Sequence, residues 1–311
     1  MDAEQNKVVE AADAVTGSWV YRHAPKPLRP YLKLARMDRP VGTWLLLWPC
    51  LWSLALAAGG GFGLQYLWLA MLFGVGALVM RGAGCTYNDI VDKDFDAAVE
   101  RTWSRPIPAG EVTIKQAWAF LALQCLVGLV VLLQLNGFAA GVALGSLLLV
   151  AIYPFMKRIT YWPQAWLGLT FNWGALVGWT AVTGSLAWPP VVLYAGALFW
   201  TLGYDTIYAH QDREDDALVG VKSTALALGS STRLWVGVFY GLFIFALIGA
   251  GSLAKLGFIY YIGIALAATH LGAQVRRVNI DDPDTCLKIF RSNISFGWIV
   301  LASMIAGQMI N

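Results

Sequence analysis

Charged side chains in this chain are set apart by long apolar runs. None occurs between Arg39 and Arg81, between Lys115 and Lys157, or between Arg158 and Asp205. A membrane-crossing helix takes about 20 apolar residues, so each of these gaps holds two crossings joined by a turn. The turns read Gly59-Gly60-Gly61-Phe62-Gly63, Asn136-Gly137, and Gly184-Ser185 with Trp188-Pro189-Pro190, all rich in residues that end helices. After Arg233 two single-span gaps are separated by Lys255, and a last gap follows Arg291. The pattern predicts nine helices starting near Val41, Tyr66, Gln116, Phe138, Pro163, Pro189, Leu234, Leu256 and Ser292. Strands are excluded, because an open sheet leaves its backbone unsatisfied in hydrocarbon. The expected class is all-α and multi-pass, with a polar arm over residues 1–33 and a membrane domain over 34–311.

Composition agrees: 58% of residues are hydrophobic and 13% charged, against roughly 45–50% and about 25% in a soluble domain. With nine spans, one side of the membrane carries 21 of the 22 Lys and Arg residues, Lys255 being the exception, and all 19 acids. The positive-inside rule makes that side cytoplasmic, or the matrix side in a mitochondrion. A net charge of +3 with both signs on one face gives no nucleic-acid signature. Residues 1–39 hold no apolar leader segment, and Asp2, Glu4, Glu10 and Asp13 argue against an acid-poor transit peptide. The bacterial inner membrane is the simpler reading and the mitochondrial inner membrane the alternative. Cys50, Cys85, Cys125 and Cys286 form no C-x-x-C pair, and His23, His210 and His270 are scattered, so neither a zinc site nor a disulfide is expected.

The run NDIVDKDFD, residues 88–96, breaks this apolar pattern. At 100° per residue Asp89, Asp92 and Asp96 fall within about 60° of one another, while Asp94 points elsewhere. In YDTIYAHQDREDD, residues 204–216, Asp205, Asp212 and Asp216 fall within about 40°, with Asp215 off that face. Each row emerges on the same side, at the end of the second helix of a hairpin, so the two can face each other. A solvated helix end explains one acidic cluster as well as a binding site does. Two aligned rows repel unless positive charge is added. Mg²⁺, a hard ion that bridges carboxylates to phosphate, suits that role. A diphosphate held through the metal could also meet Arg101, Arg105, Lys157, Arg158 or Lys222, although each reads equally well as an interfacial anchor. A diphosphate at the mouth of an apolar bundle implies a lipid diphosphate whose tail runs among the helices. Gly82 and Gly84 read as close helix contacts. DDPD, residues 281–284, reads as a turn and helix start and not as a third metal motif.

The N-D-x-x-D-x-x-x-D pattern of Asn88, Asp89, Asp92 and Asp96, with the later D-x-x-x-D of Asp212 and Asp216, resembles the UbiA superfamily of membrane-embedded aromatic prenyltransferases. LARMDRPVGTWLLLWPCLWS, RTWSRPIPAG, YPFMKRITYWPQ, VKSTAL and CLKIFRSNISFG bring it close to the branch that prenylates 4-hydroxybenzoate in the ubiquinone pathway. The similarity starts near Tyr31 and gives residues 1–30 no catalytic role. It implies nine helices around a central cavity within a lipid bilayer; no obligate protein partner is inferred. It further implies Mg²⁺ as cofactor, held by Asn88 and the five aspartates of the motifs, with polyprenyl diphosphate and 4-hydroxybenzoate as substrates. Tyr153, Tyr204 and Tyr208 would shield an allylic cation. Arg36, Arg39 and Arg81 are the candidates for the acceptor's carboxylate. Asp205 would orient the acceptor or take its proton, a plain helix-end acid being an equal reading. The alternatives are a sister prenyltransferase acting on a haem, a dihydroxynaphthoate or a homogentisate, and an ion-coupled transporter, whose acids would lie at mid-membrane on interrupted helices.

Overall fold

The computed structural model describes residues 17–98 and 102–309. Arg101 and the side chain of Asp215 lie outside what is described. The described residues form helices and no strands. In chain order these are α1 Trp19–Arg22, α2 Arg29–Leu34, α3 Val41–Leu56, α4 Leu64–Val91 and α5 Lys93–Ala98. Next come α6 Ile114–Leu132, α7 Gly137–Ile159, α8 Pro163–Phe171, α9 Gly174–Thr183 and α10 Trp188–Ala209. The rest are α11 Arg213–Val219, α12 Thr224–Leu228, α13 Thr232–Leu253, α14 Phe258–Arg277 and α15 Pro283–Met309.

Eight of the nine apolar segments become helical within two residues of their expected starts. The last begins at Pro283 and not at Ser292. Its first turns carry Asp284, Lys288 and Arg291, which the spacing of charges had excluded from the span. The DDPD turn launches it: Asp282 Oδ1 accepts from the backbone N–H groups of Asp284 at 3.1 Å and Thr285 at 3.3 Å, two donors a helix start leaves unpaired. The fifth segment is broken between α8 and α9. Asn172 sits at the break, and its Nδ2 donates to Gly168 O at 2.8 Å and to Thr201 Oγ1 at 2.7 Å, a side chain competing with the backbone ladder. By length and composition six described helices suffice to cross a membrane: α4, α6, α7, the run Thr224–Leu253, α14 and α15. Of the remaining three expected spans, α3 has 16 residues, α8–α9 is interrupted, and α10 is diluted by Trp, Tyr, Pro, Gly and Thr.

The chain divides into two compact units, one drawn from Met1–Gly42 and Leu78–Leu129, the other from Thr43–Ala77 and Val130–Asn311. The first is built on Leu34, Ile90, Val112 and Ala117, ringed by Tyr31, Ile107, Phe120 and Leu121. Gly82 is a close contact, as expected: a Cβ there would stand 2.6 Å from Gln124 Nε2 and 3.1 Å from Ala35 Cβ. Gly84 is not, since a Cβ there would meet open space. In the second unit α10 runs along α13, and α14 along α15. Lipid tails are as apolar as leucine, so close packing and hydrogen bonds, not burial from water, hold such helices together. Trp48, Trp52, Trp200, Phe243 and Phe296 form a continuous aromatic core. Two of its indoles are satisfied, Trp52 by Gly297 O at 3.0 Å and Trp200 by Asn293 Oδ1 at 2.9 Å, while Trp48 Nε1 is buried without a partner.

Candidate active site

The first acid row survives a change of helix. α4 ends at Val91 and α5 starts at Lys93, yet Asp92 N–H donates to Asn88 O and Asp96 N–H to Asp92 O, both at 2.8 Å. The four-residue spacing therefore runs through the turn, and Asp89, Asp92 and Asp96 stay in register. All three are buried, at 0%, 0% and 5% exposure, while the Asp94 side chain is 88% exposed. Arg36 Nη2 meets Asp89 Oδ1 at 2.7 Å. Arg105 Nη1 lies 2.6 Å from Asp96 Oδ2 and 3.3 Å from Asp89 Oδ1. Asn88 Nδ2 donates to Asp92 Oδ2 at 2.9 Å. Burial works against the Arg36 charge, but Asp89 foremost more than offsets it and holds the guanidinium above its usual pKa. The Asp96 carboxyl is raised, first by burial and then by Asp89 and Asp92, with Arg105 opposing.

Two guanidiniums thus face three buried carboxylates. Among the described residues no three His, Cys, Asp or Glu side chains converge as a metal cluster. The donor set nevertheless fits a hard divalent ion, since it is all oxygen and Asp89 Oδ2 is buried without a hydrogen-bond partner. Such an orphaned oxygen is costly inside a protein and marks where a cation would sit.

Of the three arginines proposed for the acceptor, Arg36 is engaged by Asp89 and Arg39 by Asp38, the latter at 3.3 Å. Arg81 donates through Nη1 to Cys85 Sγ one turn along α4. Asp38 was not singled out from sequence, yet it is fully buried and accepts the Tyr21 hydroxyl at 2.9 Å. The available signal was its place between two arginines in RMDRP.

The second row departs from expectation. α10 stops at Ala209, a 3₁₀ turn covers His210–Asp212, and α11 runs only to Val219 before Gly220 at φ +76°. A 3₁₀ turn advances 120° per residue, so a fixed 100° projection fails across it and the row Asp205, Asp212, Asp216 is not one α-helical stripe. Each of these acids is half-buried. The turn is pinned by His210 Nε2, 2.9 Å from Thr232 Oγ1, and Arg213 Nη2 lies 3.4 Å from Asp281 Oδ1.

The aromatic candidates divide. Tyr204 is buried, with ring centroids 4.9 Å from Trp200 and 5.8 Å from Phe290, and Tyr208 lies 4.4 Å from Phe290. Tyr153 is half-buried on α7. Lys157 and Arg158 occupy the last turn of α7, where positive charge complements the helix dipole. Arg158 also lies 5.8 Å over the Phe155 ring. Lys222 closes the same helix end: its Nζ donates to Ile159 O at 3.1 Å, and its backbone N–H to Lys157 O at 2.9 Å.

His210 supplies a pH test. Burial, and after it Arg213, lowers its pKa to about 4, with Asp281 opposing. The unfolded chain takes up this proton near pH 6.5, the native chain only near 4, so stability is lost as pH falls through that window. The expected loss is about 2 kcal/mol by about pH 5. His210→Gln should flatten this part of the unfolding-temperature profile, and an unchanged profile would show that another group titrates.

The UbiA prenyltransferase family model matches residues 46–300. The chain is 50% identical over 309 residues to the mitochondrial 4-hydroxybenzoate polyprenyltransferase of Arabidopsis thaliana, covering 99% of this chain and 75% of that protein. It is 47% identical over 302 residues to the Homo sapiens protein of the same name, covering 95% and 80%. Among solved structures, the apo form of a UbiA homolog from Aeropyrum pernix K1 matches with a TM-score of 0.71 at 25% identity, over 84% of this chain and 96% of that one. A UbiA homolog from Archaeoglobus fulgidus bound to GPP and Mg²⁺ has a TM-score of 0.61 at 18% identity, over 88% and 99%, a likeness of fold. With its acid motifs, its helical membrane architecture and these relatives, the chain belongs to the UbiA prenyltransferase family.

Proposed function

We propose that this membrane protein transfers a polyprenyl group from polyprenyl diphosphate to the ring carbon of 4-hydroxybenzoate ortho to its hydroxyl, releasing diphosphate, as a step of ubiquinone biosynthesis. The observation that carries the reading is the buried acid row with an orphaned carboxylate oxygen, in a chain nearly half identical over most of its length to proteins named for that acceptor. Asn88, Asp89, Asp92 and Asp96, with Asp212 and Asp216, are the residues that would hold Mg²⁺. When bound, the ion supplies positive charge against which the diphosphate can leave. Both acid rows are required by this reading.

In the reaction the carbon–oxygen bond to diphosphate breaks, the ring forms a carbon–carbon bond to the allylic centre, and the displaced ring proton leaves. Arg105 would turn a guanidinium toward the diphosphate as its carboxylates are neutralised, aided by Arg101, Lys157, Arg158 and Lys222. Tyr204 and Tyr208, backed by Trp200 and Phe290, would present π-faces to the cation and keep water from it. Tyr153 joins them from the family resemblance. Asp205 lies one turn from Tyr208 on α10 and would orient the phenol or receive its proton. Arg36, engaged by Asp89, is assigned to the acid row; the acceptor's carboxylate falls to Arg39 or Arg81. A rise in KM for the aromatic acid alone in Arg36→Ala would return Arg36 to the acceptor.

A transporter would place its acids at mid-membrane on a span interrupted there; the span interrupted between α8 and α9 carries Asn172 and no acid at its break, and both acid rows stand at the ends of long helices. The relatives are named mitochondrial, which favours the mitochondrial membrane over the bacterial one first expected. The deciding experiment incubates membranes bearing the protein with labelled 4-hydroxybenzoate, a polyprenyl diphosphate and Mg²⁺. A product of the mass of the prenylated acid is expected; label found only in unchanged acid would remove the proposal.

A further inference from the structure

We propose that Tyr21 and Asp38 are positioning residues for Arg36, so that the arm before the first long helix belongs to the catalytic support. The inference rests on the reading of the Asp89 row as part of the reaction site.

Arg36 adopts φ +57°, one of two non-glycine residues among those described with positive φ. A side chain is strained there, and such a conformation persists only where its surroundings over-determine it. On the N-terminal side the turn is held by Arg36 N–H to Lys33 O at 3.0 Å, Met37 N–H to Leu32 O at 2.9 Å, and Arg36 Nη1 to Lys33 O at 3.1 Å. On the C-terminal side Arg39 N–H donates to Arg36 O at 3.1 Å, and the side chain that holds the segment is Asp38, two residues on. Its carboxylate is fully buried, spanned by the Arg39 guanidinium at 3.3 Å to each oxygen, and its Oδ2 accepts the Tyr21 hydroxyl.

Tyr21 reaches Asp38 from α1, a helix of four residues and too short to stand alone. What fixes it is burial of Val20, Tyr21 and Ala24, the Ser18 cap, and Arg29 Nε donating to Ala24 O at 2.8 Å. The arm thus delivers one hydroxyl to one buried carboxylate, seventeen residues away in sequence. Removing that hydroxyl leaves a buried charge short of a donor, so the carboxylate must turn and the strained segment is free to relax. The group that then moves is Arg36, whose guanidinium reaches Asp89 at 2.7 Å. Neither Tyr21 nor Asp38 need touch a substrate for this; they act through Arg36.

Tyr21→Phe keeps the ring and its packing and removes only the hydroxyl. In purified full-length protein reconstituted in lipid, kcat/KM should fall about tenfold, with the unfolding temperature close to that of the unsubstituted protein. Asp38→Asn should fall in the same direction. In an Arg36→Ala background, Tyr21→Phe should cause no further loss, because its effect passes through the missing side chain. An active protein in which Tyr21→Phe turns over at the original rate, or in which its loss multiplies with that of Arg36→Ala, would overturn the proposal alone. An unsubstituted protein that makes no prenylated product would overturn it together with the functional reading.

Discussion

Asp89→Asn is expected to lower turnover about 10³-fold while leaving a folded protein in the membrane. The substitution keeps the shape of the side chain and an acceptor for Arg36, but removes the charge on which Arg36 and Arg105 converge. Taking one partner from a buried ion pair costs about 3–5 kcal/mol. The cost here should be smaller, because Arg105 retains Asp96 at 2.6 Å and the amide can still accept from Arg36. Turnover and thermal unfolding measured on one reconstituted preparation separate the two effects. Asp212→Asn should show a comparable kinetic loss, since the proposed reaction needs both rows. A rate within about tenfold of the original in either variant would remove that residue from the machinery.

Removing divalent metal should abolish turnover, and Mg²⁺ should restore it. The physical ground is the orphaned Asp89 Oδ2 and the mutual repulsion of three buried carboxylates, which two arginines answer only in part. The same ground predicts an effect independent of chemistry. Mg²⁺ with inorganic diphosphate should raise the unfolding temperature, by about 2.7 kcal/mol of stability at a hundredfold excess over the dissociation constant. Asp89→Asn should lose that stabilisation. Turnover insensitive to EDTA, or equal stabilisation of Asp89→Asn, would count against the metal assignment.

The apolar helices were legible because they follow from one strong constraint, the scarcity of charge in hydrocarbon: eight of nine expected starts fell within two residues, and six described helices are long and apolar enough to cross a membrane. The miss at α15 has the same root. A charge-gap rule marks only the uncharged stretch, whereas this helix starts ahead of it, at Pro283, with Asp284, Lys288 and Arg291 in its first turns. The break at Asn172 was hidden because one polar residue in an apolar run leaves the periodicity intact, while its hydrogen bonds to Gly168 and Thr201 depend on a partner helix. In the candidate site the first acid row was readable, since its four-residue spacing persists through the Val91–Lys93 junction. The second was misjudged where His210–Asp212 tightens to 3₁₀. Asp38 and Tyr21 went unseen because their meaning lies in a contact across seventeen residues, which no local spacing encodes.

Lys222 carries a consequence for how the protein would register an incoming anion. Its ammonium group already closes the carbonyl end of α7 at Ile159, so a phosphate that recruits this side chain must first strip that closure. Occupancy would then be reported at a distance from the ligand itself, as faster amide hydrogen exchange in the final turn of α7. The free energy of that fraying would be subtracted from affinity, giving the loop around Lys222 a built-in brake on capture of anions too weak to displace a backbone oxygen.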